Sequence, residues 1–117
     1  MNVKYERQLK KGAFELMVLR LLSEEKKYGY QLISEMNERS HGNFVLKEGT
    51  LYPILYRLED DGLVQSKWSV PVGREVSRKY YTITKEGLDT YAELEVLWNE
   101  FVISVTNVLR RENENEC

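Results

Sequence analysis

Leucine spacing in one short stretch narrows what this chain can become. Leu51, Ile54, Leu55 and Leu58 recur at intervals of three and four, which places them on one face of a helix and on no single face of a strand. The spacing predicts a helix over residues 47–61, stopped by Gly62. Its other side carries Gly49, Pro53, Tyr56 and Asp60, flanked by Thr50, Tyr52 and Arg57. Proline inside a helix costs about 3 kcal/mol, whereas in the first turn its missing N–H loses little. Regular helix is therefore expected to start near Thr50. Such an element docks through its leucines and turns tyrosines, a threonine and an arginine outward.

The flanking sequence supplies its neighbours. Residues 9–23 hold Phe14, Leu16, Met17, Val18, Leu19, Leu21 and Leu22, apolar on nearly every side of a helix. A helix apolar all round is buried on more than one face, and in so small a chain the second face, with Phe14 and Val18, is expected to meet a partner subunit. Residues 24–27 read as a polar turn. A second helix should run from Gly29 or Tyr30 to about Ser40, with Leu32, Ile33 and Met36 inward and Gly42 suited to a left-handed cap.

Beyond Gly62 the pattern changes period. Residues 63–70 alternate loosely and residues 77–84 are rich in β-branched and aromatic types, so two strands joined by a turn over 71–76 are expected. Trp68 is expected to pack in the hairpin or core. Thr84 can cap a last helix, although the glutamate of a full capping box is missing. In that helix Tyr91, Leu94, Trp98, Phe101, Val105 and Val108 alternate spacings of three and four, a heptad seam that Leu97, Val102 and Leu109 widen. The expected class is mainly α with a small β-hairpin, an α+β winged helix-turn-helix in the order α-α-α-β-β-α. It divides into a DNA-binding domain over 1–84, a dimerisation helix over 85–112 and a flexible tail over 113–117.

Charge looks at first like an argument against nucleic acid, since the net is −2. Its distribution reverses that. Residues 1–47 carry nine Lys/Arg against six Asp/Glu, and residues 67–84 carry four against one, so each has a balance of +3. The acidity gathers in residues 48–66, with four acidic side chains against one basic, and above all in residues 85–117, with eight against three. The rest of the chain can still present a positive face. With 42% hydrophobic and 31% charged residues the 117-residue chain is globular in composition. No apolar run reaches the roughly 20 residues a membrane span needs, and neither a signal peptide nor a membrane partner is expected. The lone Cys117 cannot close an internal disulfide, which suits a reducing cytoplasm. His41 has no ligand cluster near it, no catalytic grouping or phosphate loop stands out, and neither an enzyme, a metal nor a cofactor is expected.

The residues also resemble a family. The string Lys47 to Glu59 (KEGTLYPILYRLE) with Asp61-Gly62-Leu63-Val64 is similar to the recognition helix of PadR-type regulators. Tyr28-Gly29-Tyr30-Gln31-Leu32, Gly73-Arg74, Lys11 to Leu16 and Arg78 to Gly87 resemble the same family, over about residues 9–90. The single closing helix resembles its small subfamily. The resemblance implies a homodimeric repressor on double-stranded DNA at an inverted-repeat operator, released by a small aromatic effector. It implies DNA-facing roles for Thr50, Tyr52, Pro53 and Tyr56, with Lys47 and Arg57 on phosphates. Arg74, Arg78 and Lys79 fall to the hairpin's phosphate or minor-groove contacts, and Tyr30 and Gln31 to the DNA backbone. Trp98 either stacks on a flat aromatic ligand at the dimer centre or packs the interface with Phe14, Val18, Tyr91, Leu94, Phe101, Val105 and Val108. A different reading keeps the fold without DNA: a protein-interaction module, favoured by the low pI and the Glu59-Asp60-Asp61 run.

Overall fold

The computed structural model describes residues 3–110. The expected tail over 113–117, and the last two residues of the expected dimerisation segment, lie outside the described residues. Among those described, five helices surround a small antiparallel sheet: α1 (Val3–Lys11), α2 (Ala13–Glu24), β1 (Lys27–Tyr28), α3 (Gly29–Arg39), α4 (Glu48–Asp60), β2 (Val64–Trp68), β3 (Lys79–Ile83) and α5 (Lys85–Leu109). The class is α+β, as the sequence predicts, with one helix and one strand more than the predicted order.

The extra helix is α1, joined to α2 through Gly12 alone. It is mostly polar and buries none of its residues, and its few apolar side chains, Val3, Tyr5 and Leu9, stay exposed, so no core-facing stripe marked it in the sequence. The extra strand is β1, where a polar turn was expected. Lys27 pairs with Tyr81 and Tyr28 with Tyr80, giving the order β1-β3-β2. Only 2% of Lys27 is exposed. An ammonium is buried at tolerable cost when carboxylates surround it, and its Nζ lies 2.6 Å from Glu35 and 3.6 Å from Glu24.

The core forms around α2. Val18, Leu19 and Leu22 meet Leu32 of α3, Leu51, Leu55 and Leu58 of α4, and Val64 and Tyr81 of the sheet. This corrects one expectation: Val18, at 0% exposure, belongs to the chain's own interior and is not available to a partner. The second apolar face of α2 is consumed by β3 and α5 of the same chain. Phe14 is likewise half-buried at home, edge-on to Phe44 with ring centres 5.7 Å apart.

α4 begins at Glu48, earlier than the proline had suggested, so Pro53 lies in its second turn. The carbonyl that loses its N–H partner is that of Gly49, and both residues are exposed, leaving that oxygen to water. Gly62 ends the helix in the left-handed region, with φ of 75°.

α5 is anchored at its base. Thr84 Oγ1 accepts from the Gly87 amide at 3.0 Å and donates to the Gly62 carbonyl at 2.7 Å. Tyr91 and Leu94 are half-buried against the core. Past Leu94 the helix leaves the body, and Trp98, Phe101, Val105 and Val108 are all exposed, Phe101 by 66% and Val108 by 84%. The molecule spans 70 × 34 × 21 Å as a result.

Candidate nucleic-acid interface

α4 sorts its side chains as its spacing requires. Leu51, Ile54, Leu55 and Leu58 are buried, while Lys47 at the N-cap, Thr50, Pro53 and Tyr56 are exposed. Thr50, Pro53 and Tyr56, three residues apart, line the outer side of the helix.

Two predicted members behave differently. Tyr52 is half-buried and packs against the core instead of turning fully outward. Its hydroxyl occupies the space that a Cβ at Gly29 would take, so a glycine at the start of α3 is what lets α3 and α4 approach. Its ring lies 6.2 Å from that of Tyr56. Arg57 is exposed, yet its guanidinium turns towards α2, where both Nε and Nη2 donate to Glu15 Oε1. A guanidinium so engaged is not free for a phosphate.

The sheet adds cations to the α4 surface. Lys79 stands 5.9 Å from the ring centre of Tyr56 and 5.6 Å from that of Tyr81, tying β3 to the outer side of α4. Arg78, just before the strand, faces the opposite way and sits 4.6 Å over Tyr28. A cation over an aromatic face is held without losing its charge. Sequence reasoning missed the rest of this outer cluster: Tyr28 and Tyr80 are cross-strand partners with rings 5.4 Å apart, and Lys26 lies 5.1 Å over Tyr80. The pairing needs β1, which no periodicity announces. Trp68 is exposed opposite Lys79, outside the core.

Between β2 and β3 the hairpin narrows to a tip. The Ser69 amide donates to the Arg78 carbonyl at 2.7 Å, and Ser77 Oγ donates to the Ser69 carbonyl at 2.6 Å. Gly73, with φ of 63°, turns the chain beside exposed Arg74. Tyr30, in the first turn of α3, is exposed and Gln31 half-buried.

Beneath this surface lies Tyr81. Its hydroxyl is buried without a hydrogen-bond partner. Burial pushes its pKa up to about 12, aided by neighbouring Tyr56, Glu59 and Tyr52. Glu59 is itself engaged, accepting from the Ser66 amide at 3.2 Å and from its hydroxyl at 2.6 Å. This arrangement can receive a polyanion along exposed cations and offer hydroxyl and aromatic edges to what lies behind it. Among the described residues no group of three or more His, Cys, Asp or Glu could hold a metal ion, and no helix is long and apolar enough to cross a membrane.

Comparison with known proteins agrees with this geometry. Residues 18–93 match the Transcriptional regulator PadR-like family. Transcriptional regulator Rv3488 of Mycobacterium tuberculosis is 36% identical over 81 residues, 69% of this chain and 71% of that protein. The crystal structure of a PadR family transcriptional regulator from Eggerthella lenta superposes with a TM-score of 0.78 at 33% identity, covering 90% of this chain and 88% of the other. A transcriptional regulator from Clostridium thermocellum gives 0.80 at 27% identity, covering 88% and 99%. These similar proteins are described as transcriptional regulators and not as enzymes. With a family match over most of its length and the same winged-helix architecture, the chain belongs to the PadR-like family of transcriptional regulators.

Proposed function

We propose that this protein is a homodimeric repressor that acts in the cytoplasm and binds an inverted-repeat operator in double-stranded DNA. Residues 1–84 form its reading head and α5 the pairing element. The observation that carries the reading is the outer side of α4, where Thr50, Pro53 and Tyr56 stand exposed and Lys79 of β3 is held over Tyr56. α4 enters the major groove, Lys47 and Lys79 meet phosphates, and Arg74 at the hairpin tip reaches the adjoining backbone or minor groove. Tyr30 and Gln31 approach the backbone from α3. Tyr52 contributes by seating α4 on α3, and Arg57 by bracing α4 against α2.

Dimerisation rests on the exposed Trp98, Phe101, Val105 and Val108, a row of large apolar groups that water does not favour. Two heads joined this way present recognition helices to successive major grooves when they stand about 34 Å apart. A flat aromatic effector stacking on Trp98 at the dimer centre alters that spacing and lowers affinity, through unequal binding to two states.

A gel shift with the DNA upstream of the protein's own operon tests the reading. Tyr56→Ala with Arg74→Ala is expected to abolish the shift while leaving the dimer intact in size-exclusion chromatography. Normal binding by that double variant refutes the site. The same assay decides against a protein-interaction module. Phosphate-based affinity falls steeply between low and physiological salt, whereas a module without DNA gives no shift at any salt.

A further inference from the structure

The N-terminal helix takes no part in the interface described above. α1 places Lys4, Arg7, Lys10 and Lys11 within nine residues and buries none of them, so the core is not what holds it. Polar contacts fix it instead. Lys10 Nζ donates to the carbonyl of Asn43, pairs with Glu6 at 2.7 Å and lies 5.0 Å over the ring of Phe44. This docking leaves a cavity of about 860 Å³ between α1 and the start of α4.

Its lining is unusual in charge. Arg7, Lys10, Lys11 and Lys47 stand around it with Glu6 as the only acid, and Glu6 is already matched by Lys10. The side chains of Arg7, Lys11 and Lys47 have no hydrogen-bond or ion-pair partner among the described residues. Three such cations around one trough give it a positive field that favours an anion. The positive end of the α4 dipole lies on the same side, offset in part by Glu48 in its first turn. Thr50 closes the trough, and Thr50 also begins the outer row that continues to Pro53 and Tyr56. The trough and the α4 surface are thus continuous. Nine helical residues span about 13 Å, the rise of about four phosphates along one strand.

Resting on the reading of α4 as the groove-entering helix, we propose that α1 and the start of α4 form a phosphate-binding trough for the DNA backbone flanking the bases that α4 reads. Arg7 and Lys11 are its principal contacts, added to Lys47. A backbone is the fitting occupant because the trough adjoins the outer side of α4 at Thr50 and its charged lining is almost wholly cationic.

Salt-dependent binding of a labelled duplex of arbitrary sequence, about 30 base pairs long, tests this, since the phosphate contribution does not depend on sequence. The full chain is compared with Arg7→Gln/Lys11→Gln and with the charge-retaining Arg7→Lys/Lys11→Arg. Each lost phosphate contact removes about 0.9 from the slope of log affinity against log salt. The neutral variant is therefore expected to show a slope shallower by about 1.8. The wild-type advantage then shrinks about twelvefold between about 50 and 200 mM salt, and the charge-retaining variant keeps the wild-type slope. Equal slopes for wild type and neutral variant overturn the trough and leave the α4 reading standing. A wild-type chain that binds neither this duplex nor its own upstream DNA overturns both.

Discussion

Gly29 and Gly87 each let two elements meet, but against obstacles of different stiffness. A Cβ at Gly29 would collide with the hydroxyl end of Tyr52, which can swing away. One at Gly87 would run into the Leu63 carbonyl, part of the backbone that also receives the Thr84 amide at 3.0 Å. Overfilling a packed site costs about 1–3 kcal/mol. Gly29→Ala is expected near the bottom of that range and Gly87→Ala near the top, measured by urea unfolding; the reverse order contradicts this account. Tyr81 offers a pH test. Its pKa is raised to about 12 in the folded protein, above the value near 10 of an exposed tyrosine. Its contribution to stability is therefore complete below about pH 10 and is lost as pH rises towards about 12. Tyr81→Phe is expected to flatten that alkaline loss. At neutral pH it should leave stability unchanged or about 1 kcal/mol higher, since the hydroxyl it removes has no partner. A clear loss of stability at neutral pH on making this substitution contradicts the unpaired hydroxyl.

At the scale of elements, what the sequence disclosed follows from what leaves a periodic trace. α3 and α4 were legible because each turns one repeating face to the core, the two long strands because of their residue types, and α5 because of a heptad row that mostly faces away from the body. β1 was not: two residues carry no period, and Lys27 reads as solvent-facing until the folded chain brings Glu35 against it. α1 escaped because it buries nothing. Leucine spacing separated the inner from the outer side of α4. It could not tell half-buried Tyr52 from exposed Tyr56, since the difference lies in the missing side chain of Gly29. Nor could it foresee that Glu15, 42 residues earlier, would take Arg57. Val18 shows the opposite error, where an all-apolar helix looked partnered from outside and proved to be enclosed by its own chain. On α5 the reading as a pairing element predicts that Phe101→Glu yields a monomer in sedimentation. Its helical content should hold up to about Leu94, where contact with the body ends. An unchanged dimer excludes this stretch as the seam.

At the scale of the whole molecule, the two ends differ in kind. The head holds its charges close to aromatic rings and to one another, and the protruding half of α5 is apolar and bare. These ends meet where α5 packs on α2 and β3 and where its first turn is pinned to the end of α4. Gly62 stops α4, its carbonyl takes the Thr84 hydroxyl, and Gly87 lies against the Leu63 carbonyl, so the heel of one helix is bolted to the foot of the other. A rod of 25 residues is about 37 Å long, and a tilt of about 5° carries its far end through about 3 Å. A displacement at the tip of that lever would therefore be felt first by α2, against which α5 packs, and by the turn that ends α4.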